Sequence, residues 1–165
     1  MNIRLLTPND SDAYRKMRLV ALQKHPSAFA SSYKEEKDRS AAFYGERFQS
    51  EESFTFGAFE EEKLTGSVTL LRETKLKLKH RALIVAMYVS DESRKKGVGK
   101  ALISAALEKA KGIEGIEQIY LAVESTNEPA KRLYSSFGFE VFGKDKKAMK
   151  IEDIYYDEDH MVLFL

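Results

Sequence analysis

The sequence predicts an α/β fold, a single domain of 165 residues around one mixed β-sheet. Three observations predict it. The hydrophobic period switches along the chain, from helical spacing to two-residue alternation and back. Two strand-length runs, Ala82 to Val89 and Ile116 to Val123, are apolar on both faces, as strands inside a sheet are. Hydrophobic residues make up 43% of the chain against 32% charged, enough apolar side chain for a core.

Ile3 to Leu6 predicts a first strand. Thr7-Pro8 marks a helix start, with a capping hydroxyl and Pro in the first turn. Tyr14, Met17 and Ala21 continue at helical spacing, and His25-Pro26 ends that helix. Ser27 to Ser40 has no clear period. A second helix follows over Ser40 to Gln49, with Phe43, Arg47 and Phe48 on its apolar side. Phe54, Phe56 and Ala58 then alternate with Thr55, Gly57 and Phe59. A polar turn at Glu60 to Lys63 leads to Ser67 to Leu71, making a hairpin. Thr74 to Arg81 alternates basic and apolar residues, the pattern of a lysine-blunted strand edge. Ala82 to Val89 is the central strand. Gly97 to Lys111 is a helix with Val98, Ala101, Leu102, Ala105 and Leu107 on its apolar face. Ile116 to Val123 is a strand, and Asn127 to Phe137 a helix capped by Asn127 with Pro129 in its first turn. Phe139 to Phe142 and His160 to Leu165 are the last strands. The order is β-α-α-β-β-β-α-β-α-β-β.

Composition excludes several function classes. Lys plus Arg number 27 against 26 Asp plus Glu, so no basic excess points to nucleic acid or to an anionic membrane surface. Cys is absent, which removes disulfides, thiolate nucleophiles and thiolate metal sites. His25, His80 and His160 lie far apart, so no metal is expected. The longest apolar run, Ala82 to Val89, falls far short of the roughly 18 residues of a spanning helix. MNIRLLTPND lacks the pattern of a signal peptide. A cytoplasmic protein is the expectation.

The most informative segment is ALIVAMYVSDESRKKGVGKALISAAL. A strand runs through a short polar turn into Gly-x-Gly at a helix start. Such a junction points backbone N–H groups outward at the positive end of a helix. Gly97 and Gly99 remove Cβ where a phosphate would approach. Arg94, Lys95, Lys96 and Lys100 crowd the same end, where each exposed cation opposes the helix dipole by roughly 0.3–1 kcal/mol. A bound polyanion explains four cations in a disfavoured place; a solvated, screened basic turn is the alternative. The nucleotide P-loop pattern fails, because Arg94 stands at its first Gly and Ala101 at its magnesium-binding hydroxyl. The dinucleotide pattern fails because Leu102 occupies the third Gly position.

Arg94-x-x-Gly97-x-Gly99 follows a strand ending Met87-Tyr88-Val89. A second block, Asn127-x-x-Ala130-x-x-Leu133-Tyr134-x-x-x-Gly138-Phe139, lies one strand further on. Together the two blocks resemble the acyl-CoA-binding pattern of the GNAT superfamily of N-acetyltransferases. The element order matches as well, so the resemblance covers nearly the whole chain. It implies a GNAT-like fold, a central mixed and mostly antiparallel sheet flanked by about four helices. It further implies an acetyl-CoA-dependent N-acetyltransferase acting on a primary amine, with dimers frequent in the superfamily and a homodimer therefore among the expectations.

Residue by residue, the resemblance implies that the backbone of Met87, Tyr88 and Val89 pairs with the pantetheine arm. A bulge there would aim the N–H near Val89 at the thioester carbonyl. The N–H groups from Lys95 through Lys96, Gly97, Val98 and Gly99 to Lys100 would hold the pyrophosphate, with Arg94 beside them. Asn127 and the helix after it, Ala130 included, would flank the lower pantetheine and adenosine side, with Lys131 and Arg132 in reach of a phosphate. Tyr134 would be the general acid for the departing thiolate, whose thiol has a pKa near 8.5. The competing reading is a core tyrosine, since Ala130, Leu133, Tyr134 and Phe137 form a helical stripe. Glu124 is the nearest acidic candidate for general base; it shares a strand face with Ala122, where ribosomal-protein alanine acetyltransferases carry Glu. The segment His25 to Glu36 is expected to wall the acceptor pocket, with Phe29, Tyr33 and Glu35 its candidates and Tyr156 added from the last hairpin. Acids at Glu152, Asp153, Asp157, Glu158 and Asp159 would favour a cationic amine. A small-molecule acceptor is preferred over a peptide, and direct transfer in a ternary complex over a covalent acyl-enzyme, because no Cys is present. A CoA-binding sensor without catalysis is the reading from another class.

Overall fold

The computed structural model describes residues Met1 to Leu165. Seven strands form one sheet in the order β1-β2-β3-β4-β5-β7-β6. They are β1 (Asn2–Leu5), β2 (Ser53–Glu60), β3 (Lys63–Arg72), β4 (Arg81–Val89), β5 (Gln118–Glu124), β6 (Glu140–Ile151) and β7 (Ile154–Phe164). Only β4 and β5 run parallel; every other pair is antiparallel. The helices are α1 (Ser11–Lys24), α2 (Tyr33–Glu36), α3 (Ala41–Phe48), α4 (Val98–Lys111) and α5 (Glu128–Ser136). The mixed, mostly antiparallel sheet and the element order are as expected, with the four-residue α2 added.

Local chemistry sets the boundaries. Asp10 receives the Thr7 N–H at 2.7 Å and forms an ion pair with Arg4 at 2.8 Å, closing the turn that leads into α1. Ser40 caps α3 by accepting the Phe43 N–H at 3.3 Å. The β2–β3 hairpin turns on Glu61 and Glu62, both with positive φ. α4 lies on one sheet face and buries Val98, Leu102, Ile103, Ala106, Leu107 and Ala110. They pack against Val68, Leu70, Ala82, Ile84, Ile119 and Leu121 in the main core.

Four expectations need correction. β4 is not buried on both faces: Leu83 and Val85 are half-exposed, because the face opposite α4 borders a cavity. On α3 the buried residues are Tyr44 and Gly45, while Phe43 is exposed with the Arg39 guanidinium over its ring. The basic stretch Thr74 to His80 is no strand edge; it holds a 3-10 turn over Leu76–Leu78 in the β3–β4 connection. The final hairpin is far longer than Phe139 to Phe142 and His160 to Leu165. β6 and β7 pair from Glu140↔Val162 to Ile151↔Ile154.

No helix is long and apolar enough to cross a membrane. No cluster of three or more His, Cys, Asp or Glu is placed to hold a metal ion.

Candidate active site

β4 and β5 are joined by register pairs only from Arg81↔Gln118 to Leu83↔Tyr120. Beyond these the two parallel strands diverge, and a cleft opens in the middle of the sheet. On its other side β4 follows β3, but between Ser67↔Tyr88 and Thr69↔Val85 two β4 residues, Ala86 and Met87, face one β3 residue. This is a β-bulge, with Ala86 at φ +52°. The bulge resets the alternation. Met87 and Val89 turn toward Gly99 of α4, and Tyr88 turns the other way, onto Ala21, Leu22 and Phe29. Burial pushes the Tyr88 phenol up from its ordinary pKa. The bulge therefore lies at Ala86–Met87 and not at Val89, which is regularly paired with Gly66.

After β4 the chain turns through Lys95 at φ +62° and Gly97 at φ +82°. The backbone N–H groups of Lys95, Lys96, Gly97, Val98, Gly99 and Lys100 donate to no acceptor in the protein. Successive N–H groups in such a left-handed turn converge into an anion-binding nest, here fused to the N-terminus of α4. A Cβ on Gly97 would meet nothing within 4 Å, so the nest is open. Lys95, Lys96 and Lys100 are exposed and lie in no ion pair. Arg94 differs: its Nε donates to the Val89 carbonyl at 3.0 Å, and its guanidinium lies 3.2 Å from both Asp91 and His25. It braces the turn and is not a free phosphate cation. The His25 hydrogen bond and the Arg94 charge hold the Asp91 carboxyl below its ordinary pKa.

α5 flanks the cleft. Leu133 lies against Gly99, so the first turn of α4 and the middle of α5 are in contact. Asn127 caps α5, its Oδ1 accepting the Ala130 N–H at 3.3 Å. The Tyr134 ring is buried and packs edge-on against Phe139, with centroids 6.1 Å apart. Burial alone pushes its phenol up to about 12. Lys131, expected near the cofactor, is committed elsewhere: its Nζ pairs with Asp159 at 2.9 Å and donates to the Ser125 carbonyl at 3.2 Å. It ties α5 to β7. Glu124 also has another task, since its carboxylate accepts both the Thr126 N–H at 3.0 Å and the Thr126 hydroxyl at 2.7 Å. That closes the turn before α5.

The sheet face opposite α4 is roofed by α1 and α3 and holds a partly open cavity of about 460 Å³. Ala86 of the bulge and Ala122 of β5 line it, so it meets the cleft at the divergence of the strands. Phe29 lines it, as expected, with Arg18 over its ring at 4.8 Å. The other predicted acceptor residues do not. Tyr33 packs behind Phe29 in the small core with Ala21 and Leu22. Glu35 accepts the Ser32 N–H at 2.8 Å in a capping box, which spends its carboxylate on α2. Tyr156 pairs with Met149 far along the hairpin. Of the acids expected to draw a cationic amine, Asp157 accepts the Lys147 N–H, Asp159 is buried with Lys131, and Glu152 and Asp153 form the exposed hairpin turn. Only Glu158 lines the cavity.

Several lining residues escape the sequence reading. Glu36, only 1% exposed, pairs with Arg18 at 2.8 Å and Arg39 at 3.4 Å and accepts the Tyr44 hydroxyl at 2.9 Å. Burial raises its carboxyl, but the Arg18 hydrogen bond and charge, with Tyr44 and Arg39, outweigh it and leave its pKa lowered. Burial and the bond to Glu36 push the Tyr44 phenol up to about 12. Arg81 stacks on Tyr120, its guanidinium carbon 3.9 Å from the ring centroid. His160 stands directly across from Ala122 in the β5–β7 register. A helical spacing of four puts Tyr14 and Arg18 on one face of α1, which was the one available local signal. The others meet only through the sheet.

The acetyltransferase (GNAT) domain model matches residues 3–161. The chain is 30% identical over 138 residues to a mycothiol acetyltransferase of Brachybacterium faecium, covering 82% of this chain and 39% of that protein. It is 35% identical over 73 residues to an N-alpha-acetyltransferase of Sulfurisphaera tokodaii, covering 44% of this chain and 40% of that one. The matches thus span well under half the length of these relatives. A Salmonella typhimurium protein solved with its cofactor acetyl-CoA superposes with a TM-score of 0.86, at 19% identity, over 99% of this chain and 93% of that chain. That likeness is one of fold.

Proposed function

The chain belongs to the GNAT acetyltransferase family, and from that premise we propose that it transfers an acetyl group from acetyl-CoA to a primary amine of a small molecule. One observation carries the reading. Six consecutive N–H groups without partners adjoin a cleft where β4 and β5 diverge, and the cleft opens onto a partly open cavity.

The nest from Lys95 to Lys100 suits a pyrophosphate, with the three free lysines adding charge. The unpaired edge of β4 beyond Leu83 offers main-chain donors and acceptors to the two amides of pantetheine, as a further strand would. Bound acetyl-CoA supplies a thioester whose carbonyl carbon takes the amine lone pair, the C–N bond forming as the C–S bond breaks and sulfur departs with the bonding pair. In this reading the main chain at the Ala86–Met87 bulge donates to the carbonyl oxygen as charge develops there, supported by the break in β3–β4 pairing at that point. Tyr134 gives its phenolic proton to the sulfur, the second proton that the nitrogen loses as the amide forms restores the phenol, and burial that keeps the phenol protonated suits an acid. The amine must first shed the proton of its ammonium form. We assign that to the β7 pair Glu158 and His160, which line the cavity across from Glu124 and Ala122, in place of Glu124 itself.

A cavity of about 460 Å³ is of metabolite size, and this favours a small acceptor over a polypeptide. Peptide acetylation is the second reading, favoured by the name of the Sulfurisphaera relative. Calorimetric titration with acetyl-CoA beside 3′-dephospho-acetyl-CoA tests the donor site. Thiol release across small amines and N-terminal peptides tests the transfer, free of background because the chain has no Cys. Micromolar binding with release on small amines is the expected result. Binding without release across both panels favours a CoA-binding module, and no binding by folded protein overturns the reading.

A further inference from the structure

The cavity has an uneven charge. Four arginines line it, Arg18, Arg39, Arg47 and Arg81, against two carboxylates, Glu36 and Glu158. Glu36 is consumed by Arg18 and Arg39. Arg47 and Arg81 lie in no ion pair. Arg81 is the more telling of the two. Its Nε is buried and has no hydrogen-bond acceptor anywhere in the protein. Leaving a charged donor unmatched inside a protein is costly, and such groups are retained where a ligand completes them. The guanidinium also lies over the ring of Tyr120, which is itself fixed edge-on against Phe142 at 5.6 Å and bonded to Gln118 at 2.7 Å. The terminal nitrogens, which have no protein acceptor and are not buried as Nε is, are the part of this positioned guanidinium that can take an oxyanion.

Position relates this anchor to the chemistry. Tyr120 and Ala122 are two residues apart on one face of β5, roughly 7 Å along the strand. Ala122 faces His160, and Glu158 follows on the same face of β7. The cavity thus has a basic end at Arg81 and a proton-accepting end that begins at His160, one strand repeat from Tyr120, with Glu158 a repeat beyond it. Resting on the acetyl-transfer reading above, we propose that the acceptor carries an anionic oxygen group, carboxylate or phosphate, within a few bonds of its amine, and that Arg81 binds that group with Arg47 adding charge. The acceptor is zwitterionic at neutral pH, an amino-acid-like molecule or an aminoalkyl phosphate. This reverses the preference for a purely cationic amine that the acidic hairpin raised.

The test compares matched acceptors on the unaltered protein. Thiol release is measured with α- and ω-amino acids, their primary amides, O-phosphoethanolamine, ethanolamine, and the polyamines putrescine and spermidine. Acetyl-CoA affinity is measured separately by calorimetry. The expected result is a kcat/KM at least about tenfold higher for a carboxylate or phosphate over its neutral counterpart, the better arm identifying the anion. Arg81→Met then removes that discrimination by raising KM for the anionic acceptor, with acetyl-CoA affinity unchanged; Arg47→Met shows a smaller loss of the same kind. Amides, ethanolamine or polyamines turned over as well as the anionic acceptors overturn the proposal while leaving the acetyltransferase reading intact. Failure to bind acetyl-CoA removes both.

Discussion

Tyr134 concentrates two demands on one side chain. Its ring completes the core beside Phe139, and its hydroxyl is the proposed acid. Tyr134→Phe keeps the ring and removes only the hydroxyl. It is expected to lower kcat by about 10²-fold, within the usual range for a general acid, while the melting temperature and acetyl-CoA affinity hold. Unchanged turnover would return Tyr134 to a packing role. Glu36 carries structure. Buried and shared among Arg18, Arg39 and Tyr44, it is the charge that lets two arginines face the cavity. Glu36→Gln leaves those cations uncompensated and is expected to cost about 3–5 kcal/mol in urea unfolding. The pH dependence follows from the lowered pKa of the folded carboxyl. Its contribution is full above the ordinary glutamate value of 4.5 and fades as pH falls below it. The gap between wild type and Glu36→Gln should therefore narrow in acid; a constant gap down to pH 3 would count against the assignment.

Among the elements, β4 does the most. It is central in the sheet, bulged at Ala86–Met87 and split from β5 beyond Leu83. Gly66 on β3 makes this geometry possible: a Cβ there would come within 2.9 Å of the Tyr88 carbonyl oxygen and 3.1 Å of Leu102. Backbone cannot yield as a side-chain tip can, so Gly66→Ala is expected to lose about 1–3 kcal/mol of stability and to weaken activity by shifting the bulge. Thermal unfolding beside thiol release checks both. The same scale shows what sequence patterning can carry. α4, α5 and the β2–β3 hairpin were legible because one apolar face and recognisable caps mark them. The outer half of the β6–β7 hairpin was not, because neither face of Lys144 to Lys150 is covered by another element. Without burial there is no alternation to detect. On α3 the choice of Phe43 over Tyr44 failed because a buried polar ring looks no different in sequence from an exposed one.

The whole molecule makes two half-sites meet. The main core fastens α4 and α5 to one sheet face, and α1 and α3 roof the other, so the split between β4 and β5 connects the nest to the cavity. This arrangement predicts a hydrogen-exchange pattern. Acetyl-CoA should slow exchange at Lys95 to Lys100 and along β4 from Ile84 to Val89, whose partners it would supply. An amino acid alone should leave those amides untouched. Protection confined to α4 would mean that the cleft is not the pantetheine path.

The donor side of this protein was written locally: the N–H groups of the nest belong to six consecutive residues, and a turn with two left-handed residues before a helix can be recognised from its glycines and charges. Tertiary structure alone decided the acceptor side. Arg18, Glu36, Arg81 and His160 come from α1, α2, β4 and β7, and nothing in their sequence separation brings them together. Which charges meet, which cancel and which stay unmatched depends on strand register and on the helices packed over that face of the sheet. The unmatched guanidinium of Arg81 is therefore a fact of the fold, although every residue that makes it was in the sequence.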